Sequence, residues 1–378
     1  MMERSLPRSV VKATLFVFFA LLAVSIDAKQ ADSKLELSGQ VLVDADYYSA
    51  FYDEDADGSQ TAFELSQAKG TLKYQFNKHW KTKLQLKYFY QNNDKHDVEL
   101  GDAYVSYNGF NIVDLSIGAM KEPFSYERLT GSSKTNGIER SMVTSAFAPG
   151  RAYGIQVSKK NKAYTWAVGI FRNTKEDDVS RSVTARATFA PLQTVDQTLH
   201  IGGAVTLRDF KKHGFQIKER GEVNTADNIL RSARFKADSA RIVGMELVWQ
   251  HQSFTFQSEL MKGRFDQINT LTMGYSGYYI QASFFATGEQ PKYKEGAFKR
   301  VKPQSDIGAV ELVARFSYLD IRDKELGSES DIAMVGVNYH ISKQFKVMVN
   351  YLAANIRGNA LHSVSSGKAV SARIQMLF

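Results

Sequence analysis

The most reactive groups in this sequence are cations, and they are concentrated in two stretches. Phe210–Ala240 carries Lys211, Lys212, Lys218, Arg220, Arg231, Arg234 and Lys236 against Glu219, Glu222, Asp227 and Asp238. Gly288–Gln304 carries Lys292, Lys294, Lys299, Arg300 and Lys302 against Glu289 and Glu295. Together they hold twelve basic and six acidic residues, most of the formal excess of +8. Clustered cations recruit anions and repel cations, most strongly between low-dielectric walls. A guanidinium can grip two phosphate oxygens at once, whereas an ammonium acts as a mobile point charge. The plain alternative for each charge is a solvated loop face or a contact to anionic lipid headgroups.

Two further patterns suggest chemistry more weakly. Asp53–Glu64 (DEDADGSQTAFE) has calcium-loop spacing, with Asp53, Asp55, Asp57 and Glu64 as carboxylate ligands and Gly58 at the turn. No helices flank it and Gln60 stands at its central apolar position. An acidic external loop is therefore the stronger reading, and no metal or other cofactor is expected. The seven His are scattered without an H-x-x-x-H pair. An enzyme carried on a barrel would have to use His200 or His340, and no partner for either can be named. The absence of Cys excludes a thiol nucleophile, a Cys-ligated zinc and a disulfide framework. The expectation is a protein that is not an enzyme and has no nucleic-acid partner.

The elements that must position these cations are strands. Helical periodicity is absent, and alternation over about ten residues recurs between polar turns. In Trp80–Gln91, Trp80, Thr82, Leu84, Leu86, Tyr88 and Tyr90 take one face; Lys81, Lys83, Gln85, Lys87 and Gln91 take the other. Sixteen such segments are found: 34–47, 62–76, 79–91, 97–109, 112–120, 150–159, 163–173, 181–190, 197–209, 241–250, 253–265, 270–287, 305–321, 330–341, 344–356 and 368–378. All five prolines after Pro7 fall between them. The apolar faces often carry Tyr, Trp or Phe near their ends, as interfacial girdles do.

Residues 1–28 have a basic head (Arg4, Arg8, Lys12), a 14-residue apolar run and a small residue, Ala28. This is the layout of a secretory signal; a membrane anchor would need a longer run. Residues 29–378 are then expected to form a transmembrane antiparallel β-barrel of about sixteen strands in a bacterial outer membrane. The final segment alternates into Phe378, a pattern that resembles an outer-membrane assembly signal and favours the barrel over a secreted β-sandwich.

With the first strand rising from the periplasm, the long connections 121–149 and 210–240 lie outside, and 288–304 lies inside. Long loops in such a barrel can fold in and narrow an aqueous lumen. Lumen parity adds Lys69, Lys73, Lys81, Lys83, Lys87, Arg186, Arg208, Arg315 and Arg373. It also adds Glu36, Asp44, Asp46, Asp102, Asp114, Glu246, Glu259 and Glu311. The wall alone is nearly balanced, so selectivity is expected to come from the loops.

The stretch Gly101–Gln156 contains GDAYVSYNGF, KEPF, GSSK, ERS and AFAPGR. With GYYIQASFFATG at 277–288 and, more loosely, FELSQAKG at 63–70, it resembles the phosphate-selective porin O and P family. The resemblance implies homotrimers of sixteen-stranded barrels that pass phosphate or other small anions, set among outer-membrane lipid and lipopolysaccharide. It implies an inner lysine cluster at Lys292, Lys294, Lys299 and Lys302, and an outer ladder drawn from Arg208, Arg220, Arg231 and Arg234. It also implies a constriction loop using Arg128, Ser132, Ser133, Lys134 and Arg140. Arg128 stands where the phosphate-specific members have Lys, Gly131 replaces Ser, and Glu122, Glu127 and Glu139 leave the third loop almost neutral. An anion channel is better supported on these grounds than strict orthophosphate selectivity.

Overall fold

The computed structural model describes residues 33–52, 58–91, 95–173, 179–211, 214–267, 272–324, 326–358 and 365–378. Sixteen long strands follow the chain: β1 (Lys34–Ser49), β2 (Ser59–Gln75), β3 (Trp80–Gln91), β4 (Lys95–Tyr107), β5 (Asp114–Lys121), β6 (Arg151–Lys160), β7 (Tyr164–Arg172) and β8 (Val179–Gln193). Then come β9 (Gln197–Phe210), β10 (Phe235–His251), β11 (Phe254–Gln267), β12 (Thr272–Phe285), β13 (Ala309–Asp320), β14 (Ser328–His340), β15 (Phe345–Gly358) and β16 (Ser366–Leu377). Each pairs antiparallel with its sequence neighbour, and β1 pairs with β16 from Gln40↔Leu377 to Tyr48↔Ala369. The sheet is thereby closed and has no edge.

Outward positions form an apolar belt. On β10 Met245, Leu247 and Trp249 face out while Glu246 and Val248 face the lumen. The belt exists because alternating side chains meet lipid on one face only. Short turns cluster at one rim, the periplasmic one by their length. They are built by local capping: Asn77 Oδ1 accepts from the amides of His79 (2.9 Å) and Trp80 (3.0 Å), and Asn161 Oδ1 accepts from those of Ala163 and Tyr164.

Two differences from the sequence reading have physical causes. Pro191 lies inside β8, tolerated at a bulge between Phe189 and Leu192 where the ladder is already broken. β10 starts at Phe235, six residues earlier than alternation suggested, because its upper lumen face is apolar. That apolar face belongs to a packed core filling the extracellular half of the lumen. Phe124, Met142, Val143 and Phe147 from the third external loop meet Ile217, Val223, Ile229 and Leu230 from the fifth. Wall residues Ile242, Met261, Phe265, Tyr279, Leu319 and Ile332 close over them. Hydrophobic burial thus holds two loops inside a barrel whose lumen is otherwise polar.

Candidate functional site

The third external loop (122–150, L3) crosses the lumen through two short helices, α1 (Tyr126–Leu129) and α2 (Met142–Phe147). Ser125 caps α1 by accepting from the Arg128 amide at 3.0 Å, and Ser141 caps α2 at the Thr144 amide at 3.3 Å. The left-handed Ser125 (φ 66°) opens the first turn, and the amides of Tyr126 and Glu127 both donate to Glu259 on β11, at 3.0 and 2.7 Å. Beyond α1, Arg315 on β13 donates twice to the Glu139 carbonyl at 3.0 Å and pairs with Glu127 (3.4 Å) and with Glu222. Arg373 on β16 donates to Asp44 (2.6 and 2.5 Å), to the Ile138 carbonyl (2.5 Å) and to Glu139 (2.8 Å). Lys346 reaches the Thr135 carbonyl at 3.1 Å, and Asn136 donates to Glu311.

The fifth loop (211–234, L5) uses the same side of the barrel. Asn224 donates to Asp44 (2.9 Å) and to Glu64, and Thr225 to Asp46 (2.7 Å). The Met142 amide donates to Glu222 at 2.9 Å, which joins L5 to L3. Nearly every lumen-facing acid is therefore engaged in holding something. Asp44, Asp46, Glu64, Glu259 and Glu311 hold loops, while Glu246 binds Arg186 (3.0 and 2.5 Å) and His200 (2.8 Å). The three L3 acids are turned the same way. Glu122 accepts from Ser182 (2.9 Å) and Thr184, Glu127 from Ser141 (2.7 Å), and Glu139 from Arg373. The near-neutral third loop expected from its composition is a positive one on its free side.

That free side faces β2–β6. Lys69, Lys83, Lys87 and Arg151 on the wall lie within electrostatic reach of one another, with Arg140 from L3; Lys121 on β5 joins Arg128, Arg140 and Arg151. Asp102 is shared by Lys83 (2.5 Å) and Arg151 (2.6 Å), and Glu99 pairs with Lys87 at 3.2 Å. Seven cations thus gather around Asp102 and Glu99, with Glu127 and Glu219 near Arg128. Below them a cavity of about 440 Å³ runs along the wall past Lys81, Lys121, Lys160 and Arg186 to Glu295–Ala297. Burial, and then Arg140, push the Arg128 guanidinium down to about 10. Crowding by unpaired positive charge is the signature of a site built for an anion.

The long periplasmic connection (286–308) also folds inward, and its ribbon pairs Tyr293–Lys294 with Ala297–Phe298. Tyr293 Oη meets His200 Nδ1 at 2.6 Å, and Arg300 donates to Ser133 Oγ of L3 at 3.0 Å. The Lys134 ammonium is lowered by its surroundings and then by Lys299 and Arg300. The external and periplasmic insertions therefore meet inside the barrel.

The residues expected to act divide accordingly. Ser132 Oγ accepts from Gln40 (2.9 Å) and Lys69 (3.5 Å), so it sits at the edge of the seven-cation cluster. Arg128 donates to the Thr144 (3.0 Å) and Ser145 (3.4 Å) carbonyls, and its buried Nε has no partner among the described residues. Arg140 donates to the Glu127 and Thr130 carbonyls at 3.2 and 3.0 Å. Lys292, Lys294, Lys299 and Lys302 are all exposed on the periplasmic connection; a 2.8 Å backbone bond sets Lys299 beside Lys292, and Lys294 pairs with Glu295 at 3.6 Å.

The ladder candidates are less united. Arg208 approaches Glu122 at 3.6 Å, Arg220 caps the Asn224 carbonyl at 2.6 Å near Glu64, Arg231 caps Asn228 at 3.0 Å, and Arg234 packs over Gly214. Of the calcium-loop residues, Glu64 is buried against Asn224, and Asp53, Asp55 and Asp57 lie outside the described residues, as do residues 1–28. His200 and His340 are buried, His200 with both ring nitrogens engaged and His340 bound to Glu311 at 3.2 Å. Lys121 and Arg151 were missed as site residues. They flank L3 as the last residue of β5 and the first of β6, a position that itself could have marked them.

A closed barrel with an outward apolar belt, an in-folded third loop and a charged wall defines an outer-membrane porin. The model of the phosphate-selective porin O and P family matches residues 35–378, and the chain belongs to that family. Among curated proteins it is 25% identical to Porin O of Pseudomonas aeruginosa over 364 positions, covering 84% of this chain and 82% of that one. An uncharacterized protein of Caulobacter vibrioides is 22% identical over 296 positions, covering 69% of this chain and 57% of that one. Among solved structures, an anion-selective porin from Comamonas acidovorans superposes with a TM-score of 0.61 at 14% identity, covering 92% of this chain and 100% of that one. The channel DcaP of Acinetobacter baumannii gives 0.56 at 10%, covering 93% and 99%. The protein is a porin of the Gram-negative outer membrane.

Proposed function

We infer that this porin is a passive diffusion channel for small anions, with phosphate or polyphosphate as the preferred cargo. The observation that carries the reading is the division of the lumen. Acids on one side are occupied by L3 and L5, while seven cations from β2–β6 and L3 crowd the other and outnumber the carboxylates near them. Families of cations at successive depths supply weak sites that recruit an ion and release it again. The external mouth offers Arg220, Arg231 and Arg234, the constriction offers Arg128, Arg140 and the wall lysines, and the periplasmic mouth offers Lys292, Lys299, Arg300 and Lys302. Ser132, Ser133 and the unpartnered Arg128 Nε add hydrogen-bond donors suited to phosphate oxygens. The family's description as phosphate-selective supports the phosphate part of this reading, and the Comamonas porin's description as anion-selective supports the coarser part. The same reading has residues 1–28 removed on export and three barrels associating, as OmpT of Vibrio cholerae does in a form described as a trimer.

The test is reconstitution of the full-length mature protein in planar bilayers. Reversal potentials in a chloride gradient report anion over cation permeability, and added phosphate or pyrophosphate should block chloride current at low concentration. Anion selectivity without block would leave a general anion porin; cation selectivity would overturn the reading.

A further inference from the structure

The outer surface carries a feature that conduction does not use. Near the extracellular ends of β7–β11 the lipid-facing apolar side chains give way to cations. Ile170 is succeeded by Arg172 on β7, Val183 by Arg181 on β8, Val243 by Arg241 on β10, and Leu260 by Lys262 and Arg264 on β11. All are exposed and share outward parity with the apolar residue below. Two like-charge pairs stand directly opposite across neighbouring strands, Arg172↔Arg181 and Arg241↔Arg264. Such pairs repel unless an anion lies between them. Among the described residues, two acids pair with these five cations: Asp209 with Arg181, and Asp266, 3.5 Å from Arg264. Arg172, Arg241 and Lys262 have no ion-pair partner among the described residues. The patch sits above apolar side chains such as Ile170 and Met245, 65% and 69% exposed. A ligand that satisfies both zones must be amphipathic, with its charge at the height of the outer-leaflet headgroups.

We propose that this face binds a phosphorylated, acylated glycolipid of the outer leaflet. Its phosphates bridge the opposed arginines and its chains lie along the belt below. The inference is independent of the cargo assigned to the pore, because these side chains point away from the lumen.

The test is native mass spectrometry of the detergent-solubilised full chain, titrated with bisphosphorylated lipid A, its monophosphorylated derivative and phosphatidylethanolamine. Wild type should bind the bisphosphorylated lipid at least tenfold more tightly than either of the others. Arg241→Gln/Lys262→Gln/Arg264→Gln should lose that preference, and so should Arg172→Gln/Arg181→Gln in part. Heat-dependent electrophoretic mobility confirms that each variant is folded, and reversal potentials should be unchanged. Equal binding of phosphorylated lipid A and phosphatidylethanolamine overturns the proposal, as does wild-type affinity in the triple variant. Loss of subunit association with lipid binding intact would assign the face to a subunit interface and equally overturn it.

Discussion

Neutralising Lys69 and Lys121 together tests the constriction most directly. Lys83, Lys87 and Arg151 each have a carboxylate partner, whereas Lys69 reaches only Ser132 Oγ (3.5 Å) and Lys121 only the Arg128 carbonyl. Their charges are therefore felt by a passing ion with least local cancellation. At about 7 Å in a water-like medium, each unit charge contributes about 0.6 kcal/mol to a monovalent anion. With both amines protonated, Lys69→Gln/Lys121→Gln should thus cost such an anion at most about 1.2 kcal/mol, up to a roughly 7-fold loss of partition, and a dianion up to roughly 50-fold. Cations gain by the same factor, so the permeability ratio should drop, and most at acid pH where both amines carry a proton. Reversal potential in a chloride gradient reads the ratio, and phosphate block reads the dianion term. Asp102→Asn is the opposing control: it removes a carboxylate from the same cluster and should raise anion preference. If both variants kept the wild-type reversal potential, the seven cations would not lie on the conduction path, and the structural case for this site would be refuted.

Glu219 on L5 is pushed up to about 8, first by burial and against the pull of Arg128. Below that pH it is neutral and the Arg128 charge counts in full; above it the carboxylate forms and offsets that charge. Anion preference should therefore fall as pH rises through about 8, and Glu219→Gln should make that fall shallower in reversal-potential measurements from pH 6 to 9. Arg315→Met leaves Glu127 and Glu222 buried without their guanidinium. The expected cost is about 3–5 kcal/mol, seen as a lower temperature for loss of the folded electrophoretic band and noisier open channels, with Glu222→Gln restoring part of it. Replacing Lys292, Lys294, Lys299 and Lys302 by Gln should lower anion over cation permeability; an unchanged reversal potential would remove the periplasmic cluster from the pathway.

Alternation made the barrel legible because a wall between lipid and water imposes period two on each strand. Boundaries shifted where that contrast no longer held. The upper part of β10 reverses the pattern, with apolar Phe235, Ala237, Ala240 and Ile242 turned inward against L3 and L5 and Lys236, Asp238 and Arg241 turned outward, so the strand seemed to begin at Arg241 instead of Phe235. Parity also placed Asp44, Glu259 and Glu311 in the lumen correctly, but counted them as free charge. What they hold are backbone amides and carbonyl-bound side chains of distant loops, such as the Tyr126 and Glu127 amides on Glu259. No residue pattern announces a carboxylate's partner more than a hundred positions away. The loops were recognisable as functional by length and charge; the side of the barrel they would occupy, and hence which cations would be left facing the ion, depends on tertiary pairing alone.

The cations left facing the ion belong mainly to strands, not to the loops that narrow the pore. Lys69, Lys83, Lys87 and Arg151 are carried by backbone paired into the barrel sheet, and L3 is pinned at α1 to Glu259 and at α2 to Glu222. An arriving anion meets charge already in place, so little ordering entropy is spent on each passage. Permeation should then have the temperature coefficient of diffusion in water, with an activation enthalpy well below that of a channel whose loops must rearrange at every turnover.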